Sequence, residues 1–207
     1  MIDRLKRLLH ISTPQKLSVH EKIDNLYLNL GEDIITLNIG SDLSKFDNNI
    51  CELIENVRNE LYEETGFILP LVHVTEQDTL QENEYLIRLY GRKACSGYAV
   101  PNILGLDEIA DKLKELAFIN IKELLTNENV EKYINTVQKN NGWLIYSLCT
   151  KISPLEIKII LGDLLEKGCS VKNINYIFEK IGNKVLVEHD WYNFNPHKIS
   201  DEIFKEL

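Results

Sequence analysis

No apolar run in this chain approaches the ~18 residues needed to cross a membrane as a helix. The N-terminus has neither the apolar h-region nor the small-residue cleavage site of a secretory signal. Basic residues are in deficit: 23 Lys and Arg against 32 Asp and Glu, a net charge of -9. Nucleic-acid binding needs cations to displace phosphate counterions, so this balance argues against it, and against an anionic membrane surface as well. Cys51, Cys95, Cys149 and Cys169 are scattered, with no C-x-x-C spacing. Three of them adjoin apolar helical positions, which predicts reduced, buried thiols. These absences together lead us to expect a cytosolic protein.

One local exception to the acidity is the opening MIDRLKRLLHIS. There Ile2, Leu5, Leu8 and Leu9 share a helical face while Arg4, Lys6 and Arg7 lie elsewhere. A basic amphipathic helix of this kind suits a partner's groove or, weakly and peripherally, the inner face of a membrane. Covering its own domain is the plainer expectation for so short a helix.

The chain from residue 24 alternates. In NLYLNLGEDIITLNIG, Leu26, Leu28 and Leu30 lead to Ile35 and Leu37, which predicts two short strands or one bent at Gly31. A helical period follows through Leu43, Phe46, Ile50, Leu53, Ile54, Val57 and Leu61, with Ser41 or Asp42 as its cap and Gly66 at its end. FILPLVHVTE returns to strand character, and Pro70 suggests an edge or a strand's beginning. EYLIRLYGRKACSGYAV predicts a strand turning near Gly91 and Arg92 into another. After a short linker punctuated by Pro101 and Gly105 the chain reads as helical. One helical stripe runs from Leu106 to Leu125, and a second from Val130 to Val137 with Thr126 as cap.

In SPLEIKIILGDLLEKG, Ser153 caps, Pro154 takes the first helical position, and Glu156 completes a capping box. Gly168 allows a left-handed turn, Ser170 caps a second helix, and Gly182 ends it, which predicts a packed helix hairpin. The fold expected is α+β: a small βαββ lobe with an antiparallel sheet, then an all-α lobe. The boundaries predicted are 1–23 for the N-terminal helix and linker, 24–104 for the α+β lobe, 105–183 for the helical lobe and 184–207 for the tail. Trp191, Tyr192 and Phe194 in that tail are candidate partner contacts, since aromatic side chains dominate binding hot spots; packing back on the helical lobe is the alternative.

Signals for catalysis are sparse. His189-Asp190 looks like a phosphohydrolase metal dyad, but further ligands are needed, and His10, His20, His73 and His197 offer no i, i+4 spacing. There is no G-x-S-x-G, and no G-K-[ST] follows the glycines of GRKACSG or KGCS. Neither a metal nor a cofactor is expected.

Three segments carry a resemblance. ETGFILPLVHVTEQDTLQENEYLIRLYGRKACSG, ELLTNENVEKYINTVQKNN and GDLLEKGCSVKNINYIFEKI together resemble the cytoplasmic domain of the FHIPEP family of flagellar and type III secretion export-gate proteins. The similarity spans about residues 24–97 and 106–182 and includes a Leu-Leu-x-x-Gly-x-Ser pattern at Leu164–Ser170. It implies a non-enzymatic docking module for export substrates, chaperones or apparatus components, with self-assembly as a further expectation. Departures from the family are a shortened segment between Gly97 and Leu106, a reduced C-terminal part and no membrane domain, which implies a free-standing relative. The alternatives are an enzyme or small-molecule binder using a cleft between the lobes, and a stand-alone regulator no longer tied to secretion.

Overall fold

The computed structural model describes residues 33–188 and 194–207. Strand β1 (Ile35–Ile39) alternates buried and half-buried positions, as its period of two requires. Helices α1 (Ser41–Ser44) and α2 (Asp47–Thr65) follow, then β2 (Val72–Glu76), β3 (Glu84–Leu89) and β4 (Arg92–Tyr98). The sheet order is β2-β1-β3-β4. The α+β class is as expected, but the sheet is mixed: β1 pairs with β2 in parallel and with β3 antiparallel. The parallel pair has a physical origin, because α2 supplies the long crossover that two parallel strands require. β2 is an edge strand, consistent with Pro70 just before it.

Tyr90 and Gly91, both at positive φ (50° and 72°), close the β3–β4 hairpin in two residues. That is the turn whose twist matches the strands it joins.

The second half is helical: α3 (Ile103–Ile119), α4 (Ile121–Leu124), α5 (Asn127–Asn140), α6 (Gly142–Cys149), α7 (Pro154–Glu166), α8 (Ile174–Gly182), a π-helical turn (Asn183–Glu188) and α9 (Pro196–Phe204). The boxes at Thr126 and Ser153 form as their sequences dictate, with Asn129 and Glu156 completing them. One continuous set of buried side chains runs from Ile35 on β1 through Leu61, Leu113, Leu148 and Leu164 to Ile203 on α9.

Several local expectations need correction. The helix foreseen from residue 41 breaks after Ser44, and neither Ser41 nor Asp42 caps it with a side chain; Gly40 and Phe46 hold the two cap positions. The linker ends at Asn102, whose side chain caps α3 by accepting from the Gly105 amide, so Gly105 lies in the helix's first turn. Asn173, not Ser170, caps α8, accepting from the Tyr176 amide. Gly168 takes its left-handed φ of 80°, but α7 and α8 are not principally packed on each other. α7 lies against α4, α5 and α9, and α8 against α5, α6, α9 and the π-helical turn. Beyond Gly182 the chain continues in that turn instead of stopping. The expected buried thiols are found only in part: Cys51 and Cys149 are exposed, whereas Cys95 on β4 and Cys169 in the loop after α7 are half-buried against the core.

Candidate docking surface

Three features stand out beyond the core. The first joins sheet to helices. Gly66 ends α2 at φ 75°, and a Cβ there would stand 2.3 Å from the Lys172 amide nitrogen. Only a residue without a side chain admits both the left-handed conformation and this close approach. Around it, the Val171 amide donates to Thr65 O at 2.7 Å and the Tyr133 hydroxyl donates to Gly66 O at 2.8 Å. Burial pushes the Tyr133 phenol up to about 12, so it stays a neutral donor. Asn129 Nδ2 donates to Ile68 O at 2.7 Å, and Arg58 Nε to Leu69 O at 3.2 Å. The Glu-Thr-Gly-Phe segment is thus fastened by side chains from α2 and α5.

The second feature is a buried carboxylate. Asp163 sits in the last turn of α7 with its side chain 6 % exposed. Lys122 Nζ donates to Oδ1 at 2.5 Å; His197 Nδ1 lies 2.6 Å from Oδ2, and the Ser200 hydroxyl donates to Oδ2 at 2.9 Å. Burial alone would raise the carboxyl's pKa, but the bonds from Lys122, His197 and Ser200 outweigh it, and the group lies below the ordinary aspartate value. The same bond to Asp163 raises the Lys122 ammonium. Lys122 reaches in because Gly162 leaves room: a Cβ there would meet the Lys122 Cγ at 3.1 Å.

Asp, His and Ser in contact invite comparison with a hydrolytic triad, in which Ser donates to His and His to Asp. The arrangement here differs in the decisive bond. The Ser200 hydroxyl bonds the carboxylate instead of the imidazole and is fully buried, so His197 has no nucleophile to activate. The cluster ties helices together.

The third feature is exposed apolar surface. Helix α6 buries Leu144, Ile145 and Leu148, which turns Trp143 and Tyr146 outward at 74 % and 73 % exposure. The 183–188 turn packs against the same helix and carries exposed Val187. Separately, the first turns of α5 and α7 frame a groove of about 400 Å³ lined by Asn127, Val130, Glu131, Ile134, Pro154 and Leu155, of which Leu155 is 61 % exposed. Large aromatic side chains in the open are the residue types that anchor protein interfaces.

Of the residues singled out in the sequence, Ile2, Leu5, Leu8, Leu9, Trp191 and Tyr192 lie outside the described residues. Phe194 is half-buried against the core. Trp143 and Tyr146 were not foreseen, though the signal is in GWLIYSLC: with positions 144, 145 and 148 inward, 143 and 146 must face away. Among the described residues no group of three His, Cys, Asp or Glu side chains is placed to hold a metal, and no helix is long and apolar enough to cross a membrane.

The FHIPEP family profile matches residues 6–108. The flagellar biosynthesis protein FlhA of Borreliella burgdorferi is 20 % identical, over 81 % of this chain and 30 % of its own length. The CdsV protein of Chlamydia pneumoniae shares the fold at a TM-score of 0.71 and 16 % identity, covering 93 % of this chain and 66 % of CdsV. CdsV has also been solved in complex with CdsO, where the likeness scores 0.70 at 18 % identity over 82 % of this chain and 65 % of that one. The nonameric SctV-C of EPEC gives 0.68 at 17 % identity, over 84 % of this chain and 64 % of that one. The chain therefore spans under a third of FlhA and just under two thirds of these solved chains. This chain thus matches the FHIPEP family profile over residues 6–108, is similar to the flagellar protein FlhA, and shares the fold of CdsV and SctV-C.

Proposed function

We propose that this chain is a non-catalytic protein-docking module of a flagellar or type III secretion export apparatus, acting on the cytosolic side of the membrane. The FHIPEP profile match, the likeness to FlhA and the shared fold support the apparatus. The observation that carries docking is the outward-facing Trp143 and Tyr146 on α6, the helix against which the Val187-bearing turn packs. Burying a pair of large aromatic side chains is the usual way a protein surface gains specific affinity. The names of the relatives suggest the partners: CdsV is seen bound to CdsO, and SctV-C as a nonamer, so apparatus proteins and further copies of the chain itself are the proposed contacts.

The experiment is to titrate the purified chain with purified soluble components of the host's export apparatus and with itself, reading binding by interferometry and mass by mass photometry. The reading expects saturable binding to at least one component, weakened about tenfold or more by Trp143→Ala with Tyr146→Ala. Turnover of a small molecule with no protein binding would replace it by a catalytic account.

A further inference from the structure

We infer that the C-terminal helix α9 is a releasable latch, seated in a socket whose floor is the Asp163 carboxylate. Helix α7 is buried from Ile160 to Leu165, Asp163 included, and α9 packs against it there, with His197 and Ser200 on the Asp163 carboxylate. α9 itself is nine residues long, too short to persist as an isolated helix, so its docking and its folding are one event.

Its attachment is divided into a small apolar part and a large polar part. Ile199 and Ile203 are its buried aliphatic anchors. The rest is polar: His197 and Ser200 on Asp163, Lys167 with Asp201 at 2.5 Å, and Lys180 and Lys184 with Glu206 at 3.0 and 2.6 Å. The ion pairs at Asp201 and Glu206 are partly exposed and exchange for water at little net cost, whereas a large apolar seat would not.

The socket is also built to survive emptying. Asp163 uses its two oxygens separately: Oδ1 takes Lys122 from α4, and Oδ2 takes His197 and Ser200 from the latch. When α9 leaves, Oδ2 meets water and Oδ1 keeps its cation, so the carboxylate is never stranded without a counter-charge. The latch is therefore a separate cooperative unit, and its release uncovers a flank of α7 without unfolding the sheet.

Hydrogen exchange on the whole chain, followed by mass spectrometry, tests this. The latch predicts that amides of 197–204 exchange through a local opening, faster than those of α7 and β1. Asp163→Asn is expected to speed exchange of 196–204 about tenfold or more while β1 and β3 amides keep their protection. Ser200→Ala is expected to act in the same direction more weakly, and it carries the test if the Asp163 variant does not fold. Exchange of 196–204 in step with β1 in the unsubstituted protein overturns the latch. So does uniform acceleration across sheet and helices in either variant, or no change at 196–204 in both.

Discussion

Nδ1 of His197 lies 2.6 Å from Oδ2 of Asp163, joining the first turn of α9 to the last turn of α7 across 34 residues of sequence. The carboxylate so held lies below its ordinary pKa value, which fixes how stability must depend on pH. A depressed carboxyl favours the folded state fully above the unfolded pKa, near 3.8, and loses that advantage as pH falls through the lower folded value. Thermal midpoints are therefore expected to fall below about pH 4, with Asp163→Asn showing a shallower acid limb. An acid limb of unchanged steepness in that variant would assign the loss to other carboxylates.

Leu164 is fully buried one residue along, on the same helix. Leu164→Ala removes that packing and leaves a cavity, so urea melts should show a loss of about 2–5 kcal/mol. A loss under about 0.5 kcal/mol would mean that the site collapses around the deletion, which a core this continuous does not predict.

At Gly66, a methyl group meets the Lys172 backbone and a left-handed φ together. Gly66→Ala is expected to cost about 2 kcal/mol or more, since backbone cannot yield as a flexible side chain can. Denaturant midpoints measure it, and a neutral outcome would show that the 171–172 segment moves aside freely.

Trp143→Ala and Tyr146→Ala should behave in the opposite way. Neither side chain supports the core, so each variant should melt within about 0.5 kcal/mol of the parent. A larger loss would assign these aromatics to the fold instead of to a partner.

Much of this architecture was legible because its signals are local. The Ser153-Pro154-x-Glu156 start, the Thr126 cap and the Gly66 stop each act within a few residues, and all three form. The apolar stripe Ile157, Ile160, Leu161, Leu164, Leu165 is buried as its period implies. What failed was decided at a distance. The parallel pairing of β1 with β2 depends on how α2 crosses, and the packing of α7 depends on α9, a helix hidden in what reads as a tail. Asp163 looks like one polar position in ILGDLLE; its burial is set by Lys122 and His197, 41 residues before and 34 after. The outward face of α6 was recoverable from its three inward aliphatic positions alone.

The central claim is that this FHIPEP-like chain works by protein contact through the α6 face. The most direct measurement is equilibrium binding of the intact chain, and of the chain carrying both Trp143→Ala and Tyr146→Ala, to purified components of the host's export apparatus, with melting curves of both proteins taken alongside. The account predicts saturable binding by the parent chain, a loss of about tenfold or more in the double variant, and superimposable melts. Undiminished binding by a double variant that folds normally would contradict the assignment of the surface. No binding to any component by a folded parent chain would contradict the function itself.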